Sequence, residues 1–118
     1  YFHYTIYPTN AKIYQDGLTI NKKKYHLPSE SYQDECMKSI FDIKEGTEIS
    51  NPADSMYKIA NHLIEKGAEI LIAGCTEIPL VIKNEDLNVP LISSTEVLAI
   101  KTIEYANHLE IERNYKKE

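Results

Sequence analysis

Two kinds of apolar spacing alternate along this chain. Short compact runs bounded by Pro, Gly or polar clusters read as strands, and between them apolar residues recur at the spacing of amphipathic helices. Phe2 to Tyr7 is rich in aromatic and β-branched residues and closes at Pro8, which predicts a first strand. Thr9 to Leu18 carries Ala11, Ile13, Tyr14 and Leu18 at loosely helical spacing behind a Thr9 or Asn10 cap, with Gly17 weakening its end. Lys23 to Leu27 reads as a short strand stopped by Pro28.

The helical signal is strongest in the middle of the chain. Ser29 is a good N-cap, Glu30 sits in the first turn, and Tyr32, Cys36, Met37, Ile40 and Phe41 form one stripe that ends at Lys44, Glu45 and Gly46. A polar link, Thr47 to Ser50, leads to a helix marked by Asn51 as cap, Pro52 at the first position and Asp54 in the first turn. Met56, Ile59, Ala60, Leu63 and Ile64 are its expected buried face, and Lys66-Gly67 its stop. Ile70 to Ala73 is an unbroken apolar run, expected as a strand buried on both faces, and it breaks at Gly74, Cys75 and Thr76 before a short helix from Glu77 to Ile82. Asn84 to Asn88 is a polar loop and Val89 to Ile92 the last strand. Ser93 and Glu96 match a capping box for a final helix whose stripe is Val97, Ile100, Ile103 and Ala106. Beyond Leu109 the chain is charged and expected to fray. This alternation predicts an α/β fold with a mostly parallel sheet flanked by helices: one domain over residues 1–109 and a charged tail over 110–118.

At 118 residues and 42% hydrophobic, the chain can bury one core. Its net charge of −5 leaves no basic face to neutralise phosphates, so nucleic acid is not an expected partner. Lys22, Lys23 and Lys24 read as a solvated loop. No stretch is long enough to span a bilayer and no signal-peptide pattern opens the chain, so no membrane partner and a cytoplasmic protein are expected. His3, His26, His62 and His108 share no metal-ligand spacing, and no metal is expected. The nine tyrosines are better explained by packing than by a stacking platform. No glycine-rich phosphate loop or dinucleotide fingerprint occurs. Because it opens at Tyr1 directly in strand-like residues, the sequence is expected to be the latter part of something longer.

The candidate chemistry sits in Gly74-Cys75-Thr76-Glu77. Of the two cysteines, Cys36 lies in a helix stripe, the setting of an inert core thiol, whereas Cys75 follows a strand. The carboxyl edge of an open parallel sheet is where ligands bind, and the positive end of the following helix is expected to lower the thiol's pKa. Cys75 offers a nucleophile or base, Thr76 a hydroxyl and Glu77 a carboxylate, parts suited to a small anionic substrate. The same residues also fit a buried small hydrophobe, an N-cap and a first-turn acid.

Gly74-Cys75-Thr76-Glu77-Ile78-Pro79-Leu80 resembles the second cysteine motif of the aspartate/glutamate racemase family, the cofactor-independent amino-acid racemases. Supporting stretches are Pro8-Thr9-Asn10, Tyr25-His26-Leu27-Pro28, Ser39-Ile40-Phe41-Asp42-Ile43-Lys44-Glu45-Gly46, Glu65-Lys66-Gly67-Ala68 and Ser94-Thr95-Glu96. Glutamate racemases typically carry His where Glu77 stands, so the resemblance points to the aspartate or broad-specificity branch. It implies a flavodoxin-like racemase domain and two-base racemisation of an amino acid, aspartate or glutamate, without cofactor. Two cysteines, one from each of two similar domains, oppose each other across the substrate. Cys75 matches the second of them. By resemblance Thr76, Glu77 and Thr9 bind substrate.

The first cysteine, in a Cys-Asn-Thr motif, is absent, and Cys36 does not replace it. Lys12, Ser93 and Val97-Leu98 also depart from the family's usual small hydroxyl, Asp and His-Ala. The expected partners are therefore a missing N-terminal domain, an amino-acid substrate and a second copy in a homodimer, and the chain alone is expected to be inactive. A non-catalytic ligand-binding relative, or a cysteine-dependent isomerase or decarboxylase of the same superfamily, remains the alternative.

Overall fold

The computed structural model describes residues 2–6, 12–46 and 50–116. Four short strands, β1 (Phe2–Ile6), β2 (Lys24–His26), β3 (Ile70–Ala73) and β4 (Leu91–Ser93), form one sheet in the order β2-β1-β3-β4. Every neighbouring pair is parallel, as the strand and helix alternation predicts. The register sets Ile6 beside Ala73 and Ala73 beside Ser93, so the carboxyl ends of β1, β3 and β4 lie level. Strand order reverses between β1 and β3, the place where open α/β sheets leave a crevice for ligands.

Among the described residues five helices connect and flank the strands: α1 (Ile13–Ile20), α2 (Glu30–Lys44), α3 (Ser50–Glu65), α4 (Ile78–Val81) and α5 (Ser94–Tyr115), with a 3-10 turn at Asn84–Asp86. Helix α3 supplies the centre of the core. Its Met56, Ile59, Ala60 and Leu63 are completely buried and cluster with Leu71 and Ala73 of β3, Cys36 and Ile40 of α2, and Ile78, Val81 and Ile82. Helix α3 ends where Gly67 takes φ 100°, a left-handed conformation that costs a Cβ-bearing residue strain. Its N–H and that of Ala68 then close back on the Ile64 and Leu63 carbonyls. This stop turns the chain into β3.

Several elements differ from the sequence pattern for identifiable reasons. Helix α3 already includes Ser50, so Asn51 and Pro52 lie inside its first turn rather than at cap and first position; proline is tolerated there because the early N–H groups have no intrahelical partner. Strand β4 runs Leu91–Ser93 instead of Val89–Ile92. Pro90 has no N–H for the ladder and contributes only its carbonyl, to the Leu71 N–H at 2.9 Å. Strand β3 alternates buried Leu71 and Ala73 with half-buried Ile70 and Ile72, so it is covered fully on one face only. In α2 the stripe is narrower than its spacing suggests: Cys36 and Ile40 are buried, Tyr32 and Met37 half-buried, and Phe41 is 55% exposed. In α1 it is Gln15 that is buried, while Ile13 faces solvent.

Helix α5 departs furthest. Ser93 caps it as expected, its Oγ accepting the Glu96 N–H at 3.3 Å. The helix then continues through Leu109 to Tyr115, so the charged tail is helical over most of its length. Pairs at helical spacing, Lys101 with Glu104 (2.7 Å) and His108 with Glu112 (3.4 Å), suit such a solvated helix. The predicted stripe is not buried: Val97, Ile100, Ile103 and Ala106 are all exposed. Val97 and Leu98, with Tyr14 of α1 and Ile72 and Ile92 of the open sheet face, line an apolar hollow of about 440 Å³. No helix among the described residues is long and apolar enough to cross a membrane.

Two outcomes follow from this core. Leu63→Ala should cost about 2–5 kcal/mol in urea-unfolding experiments, because α3 and β3 have little room to close the cavity. Burial pushes the Cys36 thiol up to about 12. In the unfolded chain it ionises near the ordinary thiol value. Its share of stability is therefore complete below that value and is lost as pH rises towards about 12. Urea midpoints measured between neutral pH and pH 11 should fall with pH, and Cys36→Ala should flatten that slope.

Candidate functional site

The site begins where β3 ends. Ala73 and Ile78 are both completely buried, so the turn between them is anchored at each end by core packing. Cys75 rides on that turn at the carboxyl edge of a central strand, half-buried and packed against the core cluster. Helix α4 follows after two residues but is a single turn, held down by Ile78 and Val81. Its first helical residues are Ile78 and Pro79. Glu77 occupies the cap position without using its side chain as a cap.

Instead, the Glu77 carboxylate folds back over the turn. One oxygen, Oε2, accepts hydrogen bonds from the Cys75 Sγ at 2.6 Å and from the Thr76 Oγ1 at 2.9 Å. The other, Oε1, lies 3.7 Å from Nζ of Lys44, the last residue of α2. The carboxylate is 15% exposed and the lysine side chain 54%, so the acid points inward and the cation stands at the solvent side.

This geometry sets the charges. The bonds from the Cys75 thiol and the Thr76 hydroxyl hold the Glu77 carboxyl below its ordinary value, with a smaller contribution from Lys44. The Cys75 thiol moves the other way, pushed up by burial and then by its bond to Glu77, with Lys44 drawing it partly down. The expectation that the helix dipole lowers this thiol is therefore corrected. A one-turn helix offers little dipole, and burial beside a carboxylate outweighs it. At neutral pH the turn presents a neutral thiol against an ionised carboxylate. That pair can donate a proton from sulfur, and the carboxylate accepts whatever hydrogen the sulfur carries.

Of the residues read from the sequence, Cys75, Thr76 and Glu77 are brought together, and Thr9 lies outside the described residues. Lys44 went unread as part of the site. In sequence it is an ordinary basic residue at a helix end, and only the folding of α2 onto α3 carries it to Glu77. Cys36 is 1% exposed, its Sγ 3.8 Å from the Met56 sulfur, and does not face Cys75 as a second base across an open cleft. Among the histidines, His62 lies against the Tyr32 ring with centroids 4.4 Å apart.

Comparison with known proteins gives the fold a context. No family model matches the chain. A curated Pectobacterium carotovorum subsp. carotovorum protein, known only as an uncharacterized protein in the pnlA 3′ region, is 33% identical over 97 residues, covering 80% of this chain and 64% of that protein. Two solved structures are similar throughout most of the chain. A candidate Asp/Glu racemase from Yersinia pestis matches with a TM-score of 0.80 and 22% identity, over 89% of this chain and 48% of that one. The aspartate racemase of Picrophilus torridus matches with a TM-score of 0.73 and 27% identity, over 89% of this chain and 45% of that one. The solved structures this chain resembles are thus Asp/Glu racemases, and it spans just under half their length.

Replacing the carboxylate tests the charge pattern. In Glu77→Gln the Cys75 thiol should ionise at lower pH, because the negative charge beside it is gone, and thiolate absorbance near 240 nm should rise at correspondingly lower pH on titration.

Proposed function

We propose that this chain is one half of an amino-acid racemase, with aspartate or glutamate as substrate and Cys75 as the proton-transfer group on one face of the α-carbon. A single observation carries the proposal: a half-buried thiol at the carboxyl end of β3, bonded to the Glu77 carboxylate, in a fold similar to that of Asp/Glu racemases. The parallel β2-β1-β3-β4 order supports the flavodoxin-like reading of the domain.

The chemistry is proton removal and return. As thiolate, Cys75 takes the α-proton, the electron pair passes to the substrate's carboxylate-stabilised carbanion, and a second acid on the opposite face delivers a proton there. In the reverse direction Cys75 is that acid, and its raised pKa suits the protonated state that this direction starts from. Glu77 receives the sulfur's hydrogen bond, which makes it a proton-handling neighbour rather than a free substrate ligand. Thr76 is exposed at the same edge, and in this reading its backbone and hydroxyl bind a substrate carboxylate once the hydroxyl turns from Glu77. Thr9, outside the described residues, is assigned to substrate binding by the family resemblance alone.

The second acid comes from outside this chain, from an N-terminal domain that completes a racemase-length protein acting as a homodimer in the cytoplasm, without cofactor. The open apolar hollow beside α5 supports a missing covering element. One thiol cannot serve both faces, so the chain alone is inactive. The protonated state of Cys75 also favours a second reading, a decarboxylase or isomerase of a dicarboxylic acid in which one thiol reprotonates a carbanion.

Enantiomer interconversion, followed by circular dichroism with aspartate and glutamate, distinguishes these readings. The full-length protein, carrying the opposing cysteine of the N-terminal domain as well as Cys75, should interconvert one of the pair, Cys75→Ala should abolish this, and Cys75→Ser should lower it by about 100-fold or more because a hydroxyl is far less acidic. Undiminished interconversion in Cys75→Ala would remove Cys75 from the mechanism. Carbon dioxide release without interconversion would favour the decarboxylase.

A further inference from the structure

Three side chains from two parts of the fold meet at the β3 edge in a fixed order. Lys44 ends α2, Glu77 precedes α4, and Cys75 lies in the turn between β3 and α4. The carboxylate divides its two oxygens between them. Oε2 takes both short bonds, from the sulfur and from Thr76, and Oε1 is left to the ammonium. The lysine does not pack in the core, since more than half of its side chain is exposed. The α2 C-terminus that carries it favours a cation, and after the Glu45 cap Gly46 takes φ 74° and turns the chain away.

We propose that Lys44 is a positioning residue for the Cys75 thiol and acts through Glu77, its ammonium offsetting on one carboxylate oxygen the charge that the other oxygen presents to the sulfur. Without the lysine, the sulfur would face an uncompensated carboxylate, and the thiolate needed for proton removal would form only at higher pH. With it, Glu77 keeps its hydrogen bond to the thiol and opposes thiolate formation less. Among the described residues, Glu77 from its own turn and Lys44 from the end of α2 act on the sulfur, and the buried Cys36 thiol of α2 lies near enough to be raised by it. Cys36 stays a neutral thiol up to about 12, which leaves the Lys44–Glu77 pair as the adjustable charge. The role of this coupling in turnover rests on the assignment of Cys75 as a proton-transfer group; the coupling itself concerns only the thiol.

Iodoacetamide alkylation of the intact chain tests it, with modification at Cys75 quantified by peptide mass spectrometry between pH 7 and 11. In Lys44→Met the rate profile should move to higher pH by about half a unit, which lowers the rate at pH 8 about threefold. Lys44→Arg should keep the original profile. Glu77→Gln should move it to lower pH, and the Lys44→Met/Glu77→Gln double variant should follow Glu77→Gln, because without the carboxylate that holds it at 3.7 Å the exposed ammonium is released to solvent and no longer acts on the sulfur. An unchanged profile in Lys44→Met, or a double variant in which the two shifts simply add, would overturn the proposal. Circular dichroism of each variant confirms the fold, and the exposed Lys44→Met and Lys44→Arg pair decides the outcome even where Glu77→Gln fails to fold. The alkylation profile needs no substrate, so failure of this coupling and failure of the racemase assignment are read separately.

Discussion

The packing of α3 against β3 fixes the position of the turn that carries Cys75, Thr76 and Glu77. Leu71 and Ala73 point into Met56, Ile59, Ala60 and Leu63, and this dry contact ends abruptly at Gly74. Two residues past the last buried side chain of the strand, the thiol emerges at the sheet edge, and three residues later Ile78 is again fully buried. A turn held at both ends in this way has little freedom. Burial of apolar surface, the dominant favourable term in folding, thereby also determines the angle at which the sulfur leaves the core.

Within that turn, burial and then the Glu77 carboxylate, rather than helix geometry, decide the state of the thiol. A longer helix after Cys75 would have drawn the proton off the sulfur; the single turn of α4 does not, and Glu77 stands close enough to hold it on. The outcome is a group better prepared to give a proton than to take one, tempered by an ammonium at the rim. A two-base reaction needs such an asymmetry, since at any moment one of its groups must be protonated and the other not.

Much of the architecture was legible in the sequence because local signals agreed with the fold. The stripe of α3, the Lys66-Gly67 stop and the run Ile70 to Ala73 all use period, cap and breaker in the same sense, and the structure follows them. The candidate site was legible for the same reason: Cys75, Thr76 and Glu77 are neighbours in sequence. What the pattern could not supply depended on tertiary placement. Lys44 is 33 positions from Glu77 and meets it only through helix packing. The apolar positions of α5 look like a buried stripe by period, yet they need a covering surface that the described residues do not provide. Strand β4 starts two residues later than its hydrophobic run because Pro90 cannot donate to a ladder, a constraint that the run Val89 to Ile92 conceals.

The central claim is that Cys75 moves a proton at the α-carbon of an amino acid. It is tested most directly by deuterium incorporation. The full-length protein, with the opposing cysteine of its N-terminal domain as well as Cys75, is incubated in D₂O with each enantiomer of aspartate and glutamate, and the Cα–H signal is followed by proton NMR. The account predicts that the signal of one of these amino acids disappears with the wild-type protein and persists with Cys75→Ala. Loss of the signal at equal rates in both proteins would contradict it.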